Sequence, residues 1–346
     1  MPLDRRRGAR SVLARPTMKD VAQRAGVSTM TVSRVVNGDP GVLPDTAAKV
    51  HRAIRVLGYQ RDDVARQLRR KGQLSQTIGI LVDNVADPFM AALASAAEDV
   101  ARQHSSVVLI GSSRDDLNRE REVVSAFTSR RIDGLILIPV AGSHRFLRNA
   151  MATGTRVVCA DRPASGLQTD AVVVDNRKAA HRAIAHLVAH GHRRIAYLGD
   201  RLDISTIEDR YAGYLAALDS AGIVADPVIV RHGLRRGADA AEAVTAMLAH
   251  RDPPTAVLAS NGIVGLGVRA ALPPGTALVG FDDFQLAPQL DPPVTVIAQD
   301  PVAMGSTAAH LLFSRIHGDG SPPRTVVLPT RLVARGSGEI QGPHPV

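Results

Sequence analysis

From Thr77 onward the chain repeats one pattern for about 250 residues: a short β-branched or aliphatic run, then a stretch long enough for a helix. The runs are Ile78 to Val82, Val107 to Ile110, Gly134 to Ile138, Val157 to Cys159, Val172 to Val174, Ile195 to Leu198, Val228 to Val230, Ala256 to Leu258, Ala277 to Val279 and Val326 to Leu328. Between them lie segments such as Pro88 to Gln103, Leu117 to Arg130, Lys178 to His190 and Thr206 to Ala221. Continuous apolar strands separated by crossover helices pack as parallel sheets covered on both faces. Ten such strands fit two doubly wound halves better than one sheet.

The first 76 residues do not share this pattern, and they carry the charge. They hold sixteen Lys and Arg against six Asp and no Glu, whereas the other 270 residues hold 26 basic and 27 acidic groups. The formal net charge of +9 therefore belongs to a basic head on a nearly neutral body. A head of that kind seeks a polyanion, either nucleic acid or an anionic membrane surface. Arg5, Arg6, Arg7 and Arg10 are not followed by the apolar stretch of a secretory signal, and no run of eighteen apolar residues occurs. With Cys159 as the sole cysteine no intrachain disulfide can form, so a cytoplasmic protein with no membrane partner is expected.

Within the head, helical patterns run from Met18 to Ala25, Thr29 to Val36 and Asp45 to Leu57, with a fourth from Asp62 to Arg70. Counting Met18 as the first position of a helix-turn-helix puts Ala22 where the second helix crosses and only a small residue fits. Gly26 falls where the turn becomes left-handed, and Val32 faces the shared core. Ser28 is placed to cap the second helix. With Val27, Val32 and Val35 inward, that helix presents Thr29, Met30, Ser33 and Arg34 to a major groove, and Arg34 has the reach for a guanine or a phosphate.

The stretch Thr17 to Ser28 (TMKDVAQRAGVS) followed by Thr31 to Asn37 (TVSRVVN) resembles the headpiece of the lactose-repressor (LacI/GalR) family of bacterial transcription regulators. Further landmarks of that family follow in order: Gly191 to Ala196 (GHRRIA), Arg210 with Gly213 and Tyr214, Gly280 to Asp283 (GFDD), and Gln299 with Met304 and Gly305. The resemblance implies an α/β chain: an all-α helix-turn-helix headpiece plus two doubly wound parallel-sheet lobes of periplasmic-binding-protein-like fold. It also implies a homodimer on a double-stranded, pseudo-palindromic operator, and a small effector, a sugar or related polyol, that controls repression. No cofactor and no metal are implied.

The implied organisation is a flexible basic tail (1–16), a headpiece (17–61), a hinge helix and linker (62–76), a body (77–335) and a terminal tail (336–346). Lobe 1 takes about 77–174 and 300–328, and lobe 2 about 175–299 and 329–335. By resemblance the DNA contacts fall on Thr17, Ser28, Thr29, Met30, Thr31, Ser33, Arg34, Asn37, Tyr59, Ala65, Arg66 and Leu68, the last as a minor-groove wedge from a hinge helix too short to be stable alone. Two departures lie nearby: Gln60, Arg61 and Asp62 follow Tyr59 where the family has Pro then Asn, and Leu43 replaces a capping Ser or Thr.

Ligand groups in such a body sit at strand carboxyl ends facing the cleft. Asp161, Arg210, Asn261, Asp282 and Gln299 fall there and match the family's effector positions, with Phe89 covering one ligand face. An Arg beside carboxylates suits vicinal hydroxyls or a small anion. Gly262, where the family often has Asp, removes one polar contact. His181, His186, His190 and His192 have no carboxylate or Cys nearby to complete a metal set and read as mostly a solvated face. A sugar carrier would share the body but needs export. A sugar-modifying enzyme with an added DNA-binding head would need a nucleophile or base, and no catalytic residue is identified.

Overall fold

A computed structural model describes residues 16–59 and 74–343. The chain divides between Gln73 and Leu74 into two compact units. The first holds α1 (Met18–Ala25), α2 (Thr29–Val36) and α3 (Pro44–Leu57). Its start is fixed by a reciprocal cap: Thr17 Oγ1 accepts from Asp20 N–H, and the Asp20 carboxylate accepts from Thr17 N–H at 2.7 Å. Gly26 ends α1 in the left-handed region at φ 67°, which lets the Val27 N–H reach the Ala22 carbonyl and aims the chain into α2. Val21, Ala22, Val32, Val35, Val50 and Ala53 form the small core, with Tyr59 packed against it. The expected hinge helix lies outside the described residues.

The second unit contains two six-stranded sheets built to one plan. Sheet 1 combines β1 (Thr77–Val82), β2 (Val107–Ser112), β3 (Gly134–Leu137), β4 (Arg156–Asp161), β5 (Asp170–Val174) and β11 (Thr325–Leu328) in the order β11-β5-β4-β3-β1-β2. Sheet 2 combines β6 (Ile195–Leu198), β7 (Val230–Arg231), β8 (Ala256–Ala259), β9 (Ala277–Phe281), β10 (Thr295–Ala298) and β12 (Arg331–Val333) in the order β12-β10-β9-β8-β6-β7. Every pairing is parallel except β10 with β12. The expected α/β class with two parallel-sheet lobes is therefore the fold observed.

Each sheet is buried on both faces, which is why its strands read as unbroken apolar runs. In lobe 1, α4 (Pro88–Gln103) and α11 (Pro301–Ile316) pack on one face, and α5 (Leu117–Ser129) and α6 (Leu147–Ala152) on the other. In lobe 2, α9 (Gly237–Leu248) and α10 (Gly262–Ala271) cover one face, and α7 (Asn176–Ala189) and α8 (Ser205–Ser220) the other. Helix pairs in both lobes approach closely through a glycine, and in lobe 2 a Cβ on Gly267 of α10 would collide with the Gly237 carbonyl oxygen of α9. A Cβ on Gly213 of α8 would collide with the Arg177 carbonyl oxygen, and one on Gly305 of α11 with the Leu93 carbonyl oxygen.

The chain passes between lobes three times, from β5 into α7, from β10 into α11, and from β11 into β12. All three crossings leave the same edge of the sheets. Among the described residues no helix is long and apolar enough to cross a membrane.

Several expectations need correction. The linker drawn to residue 76 overruns the body, because Ser75 N–H already donates to the Asp133 carboxylate at 2.7 Å. Residues 336–343 are not a free tail. Ser337 is buried, its N–H and hydroxyl bond the Pro293 and Leu278 carbonyls, and its Oγ accepts from Thr295 N–H at 2.9 Å. The histidines expected on a solvated face hold this segment: His186 meets the Glu339 carboxylate at 2.5 Å, and the buried His192 bonds the Ile340 carbonyl at 2.8 Å. The carboxylate missing from the local sequence arrives from 153 positions away. The run Val228 to Val230 is mostly a 3-10 turn (Pro227–Ile229) ahead of the two-residue β7.

Candidate DNA-reading surface and effector cleft

The outward face of α2 is polar and open. Thr29 and Arg34 are exposed, Met30 is 74% exposed, Ser33 is half-buried, and Val32 and Val35 turn into the core. Several of the expected contact residues also hold the fold. Thr17 caps α1, while Ser28 Oγ accepts from Thr31 N–H at 3.1 Å and lies 2.9 Å from Thr31 Oγ1. Asn37 donates to Ser33 Oγ at 3.3 Å, and Tyr59 is half-buried. Lys19, Arg24, Lys49, Arg52 and Arg55 are exposed on α1 and α3 and make the surface of this unit positive.

Arg34 is not a free arm. Its Nε donates to Asp39 Oδ2 at 2.8 Å, and Asp39 Oδ1 accepts from Gly41 N–H at 2.9 Å. The Arg34 guanidinium, followed by the Gly41 N–H, holds the Asp39 carboxyl below its ordinary range. The turn after α2 thus pre-orients the arginine while half of its side chain remains exposed. Ala65, Arg66 and Leu68 lie outside the described residues.

In the body, Arg210 is a buried cation held in place from several elements. It is 4% exposed on α8, its Nε donates to Asn176 Oδ1 at 2.7 Å, and its Nη1 donates to the Ser260 carbonyl at 2.6 Å. Its guanidinium carbon stacks 3.6 Å from the centre of the Phe281 ring. Each partner ends or starts an element: Asn176 opens α7 at the first lobe crossing, Ser260 follows β8, and Phe281 ends β9. The arrangement fixes the fork in one plane and leaves Nη2 for other partners.

Carboxylates gather opposite this fork from both lobes. Asp282 Oδ2 stands 4.0 Å from Arg210 Nη1, and Gln299 Nε2 donates to Asp282 Oδ1. Burial pushes the Asp282 carboxyl up to about 6, with Asp161 and Asp87 of lobe 1 adding to the rise and Arg210 and Gln299 opposing it. Asp87 is raised as well, by burial first and then by Asp161. Asp161 is buried and lies 3.4 Å from Arg162 Nε. Among the described residues the buried Gln299 Oε1 and Ser260 Oγ have no hydrogen-bond partner. Such a site offers acceptors for hydroxyl donors, one planar donor fork and unused polar atoms.

Asn261 caps α10, its Oδ1 accepting from Val264 N–H at 2.9 Å, so part of its hydrogen-bonding capacity is already committed. Phe89 is half-buried beside the lobe 1 core. The structure adds two residues to the sequence-derived set, Asn176 and Phe281, both in contact with Arg210. The strand-end rule points at Asn176, two residues past β5, but its contact with a side chain 34 positions away leaves no sequence signal.

Residues 17–62 match the family described as bacterial regulatory proteins, lacI family, and residues 184–338 match a periplasmic binding protein-like domain. The HTH-type transcriptional regulator GalR of Escherichia coli (strain K12) is 32% identical over 328 residues, covering 93% of this chain and 95% of GalR. The lac repressor dimer bound to operator and the anti-inducer ONPF superposes with a TM-score of 0.80 at 27% identity, over 94% of this chain and 99% of that one. The transcriptional regulator CelR in its cellobiose complex gives 0.69 at 28% identity, over 93% and 100%. With a capped helix-turn-helix, twin parallel-sheet lobes and a full-length relative at this identity, the chain belongs to the lacI family of bacterial transcription regulators.

Proposed function

We propose that this regulator represses transcription by binding a pseudo-palindromic operator as a homodimer, and that a small polyhydroxylated effector, a sugar or related polyol, sets its affinity. The observation that carries the ligand reading is Arg210, buried and locked by Asn176, Ser260 and Phe281 while facing the Asp282 carboxylate. Asp161, Asn261, Gln299 and Phe89 complete the ligand set. A carboxylate and a guanidinium held side by side bind vicinal hydroxyls in opposite hydrogen-bonding roles. The exposed face of α2 supplies the base contacts through Thr29, Met30, Ser33 and Arg34, with Leu68 of a hinge segment (62–73) as the wedge. The homodimer reading draws on the lac repressor dimer, and the sugar reading on the CelR complex.

Control follows from linkage. A ligand that prefers one lobe arrangement shifts the population toward it, and paired headpieces engage two half-sites only in one arrangement. The test is a thermal-shift screen of hexoses, pentoses, disaccharides and nucleosides, followed by operator binding with any compound that stabilises the chain. The reading requires a stabilising compound that changes operator affinity at least fivefold, with both effects lost in Arg210→Ala. Stabilisation that survives Arg210→Ala contradicts it.

A further inference from the structure

Asp115 lies in the loop after β2 in lobe 1, yet its charge partners belong to lobe 2. Its Oδ2 stands 3.0 Å from Arg201 Nη2, in the loop after β6, and 3.1 Å from Arg235 Nη2, in the loop after β7. The Asp115 side chain is 3% exposed, and its backbone is left-handed at φ 60°, next to Arg114 at φ 51°. Two consecutive left-handed residues other than glycine carry a local conformational cost, which the surrounding contacts must offset. Among the described residues neither carboxylate oxygen of Asp115 has a directed hydrogen bond, so charge holds it between the two arginines.

The setting is charged from every side. Asp83 of lobe 1 and Asp200 of lobe 2 both have carboxyls raised first by burial, with Asp115 adding to each. Arg162 offsets Asp83, and Asp203 takes Arg201 Nε at 3.0 Å. Arg201 and Arg235 thus neutralise a carboxylate cluster that would otherwise push the lobes apart.

Position gives the contact its leverage. The three crossings leave the β5, β10 and β11 edge of the sheets, whereas β2 and β7 form the opposite edge. Four to five strand spacings separate them, about 20 Å. Opening the lobes by ten degrees about the crossings therefore moves Asp115 away from its arginines by about 3 to 4 Å, enough to break both pairs. Contacts within one lobe, such as Asn176 with Arg210 in lobe 2, are carried along unchanged.

We infer that Asp115, Arg201 and Arg235 form a latch opposite the hinge that holds the two lobes closed without a ligand. The inference goes beyond the repressor reading and needs neither operator nor effector. Cys159, the sole cysteine, is fully buried, so nitroxide labels can be placed on Asn118→Cys of lobe 1 and Glu242→Cys of lobe 2 in the full chain, both exposed positions. Electron–electron distance measurements on the ligand-free protein should give one narrow distribution. Asp115→Asn, nearly isosteric, should lengthen the mean by about 4 Å or add a longer population. The double variant Arg201→Gln with Arg235→Gln should do the same, and adding Asp115→Asn to it should change nothing further. Circular dichroism checks that each variant is folded. Distributions that superpose on the parent for folded Asp115→Asn, or effects that add, overturn the latch.

Discussion

Asp161 and Asp282 adopt the same left-handed backbone conformation, φ 67° and 70°, at the carboxyl ends of β4 and β9, which occupy the same place in the two sheets. Aspartate is among the residues that tolerate this region, and here it turns a carboxylate from each lobe toward one cleft. Their mutual repulsion, together with Asp87, works against Arg210.

That relationship sets a pH dependence. The folded Asp282 carboxyl titrates at about 6 against an ordinary 3.8, so the fold binds a proton more tightly than the unfolded chain between those values. Stability should therefore fall as pH rises from about 4 to 6, then level off. Asp282→Asn should stabilise the ligand-free chain by about 3 kcal/mol at pH 7.5 and make no difference near pH 3.5. Unfolding midpoints of both proteins from pH 3.5 to 8 check this. A constant gap across that range contradicts it.

Asn176→Ala removes the acceptor from a buried guanidinium nitrogen. Loss of about 2 kcal/mol in chemical denaturation is expected. Asn176→Asp keeps the acceptor and should recover most of that loss, whereas Asn176→Leu should not. Equal losses in all three would mean that the site needs only the shape of the side chain.

Asp39→Asn should release Arg34 while keeping an acceptor for the Gly41 N–H. With one more unpaired cation on the DNA-facing side, binding to random-sequence DNA should tighten. The slope of log affinity against log salt should steepen by about one. Titrations at four salt concentrations measure both, and an unchanged slope counts against Arg34 facing the duplex.

Removal of residues 336–346 should destabilise the body rather than trim a tail. The Ser337 bonds to Leu278 and Thr295 and the Ile340 carbonyl on His192 all disappear. A midpoint lower by roughly 5–10 °C is expected. A truncated chain with an unchanged midpoint would contradict the packing seen.

Local physics made much of this legible from the sequence. Helices α1 and α2 start and stop at the residues expected, because Thr17 and Ser28 cap them and Gly26 supplies the left-handed turn. Strands β1 and β6 read as apolar runs because helices cover both faces. By contrast, β12 has three partly exposed residues at a sheet edge, paired antiparallel, and presents no pattern to find. The missed β10 is fully buried, but Pro292 and Pro293, one residue ahead of it, masked a short strand. What escaped altogether were contacts between distant positions. Asp115 with Arg201 depends on how two lobes meet, Asn176 with Arg210 on how two helices of lobe 2 pack, and His186 with Glu339 on where a terminus docks, and spacing along one chain does not encode that.

The central claim is specific operator recognition by the headpiece of the full chain. Fluorescence anisotropy should compare the chain's own upstream pseudo-palindrome with a scrambled duplex of equal length at 150 mM salt. The account predicts at least a thousandfold preference for the natural site, two protomers per duplex, and collapse to the scrambled level in Arg34→Ala. Equal affinity for both duplexes, or a preference untouched by Arg34→Ala, would contradict it.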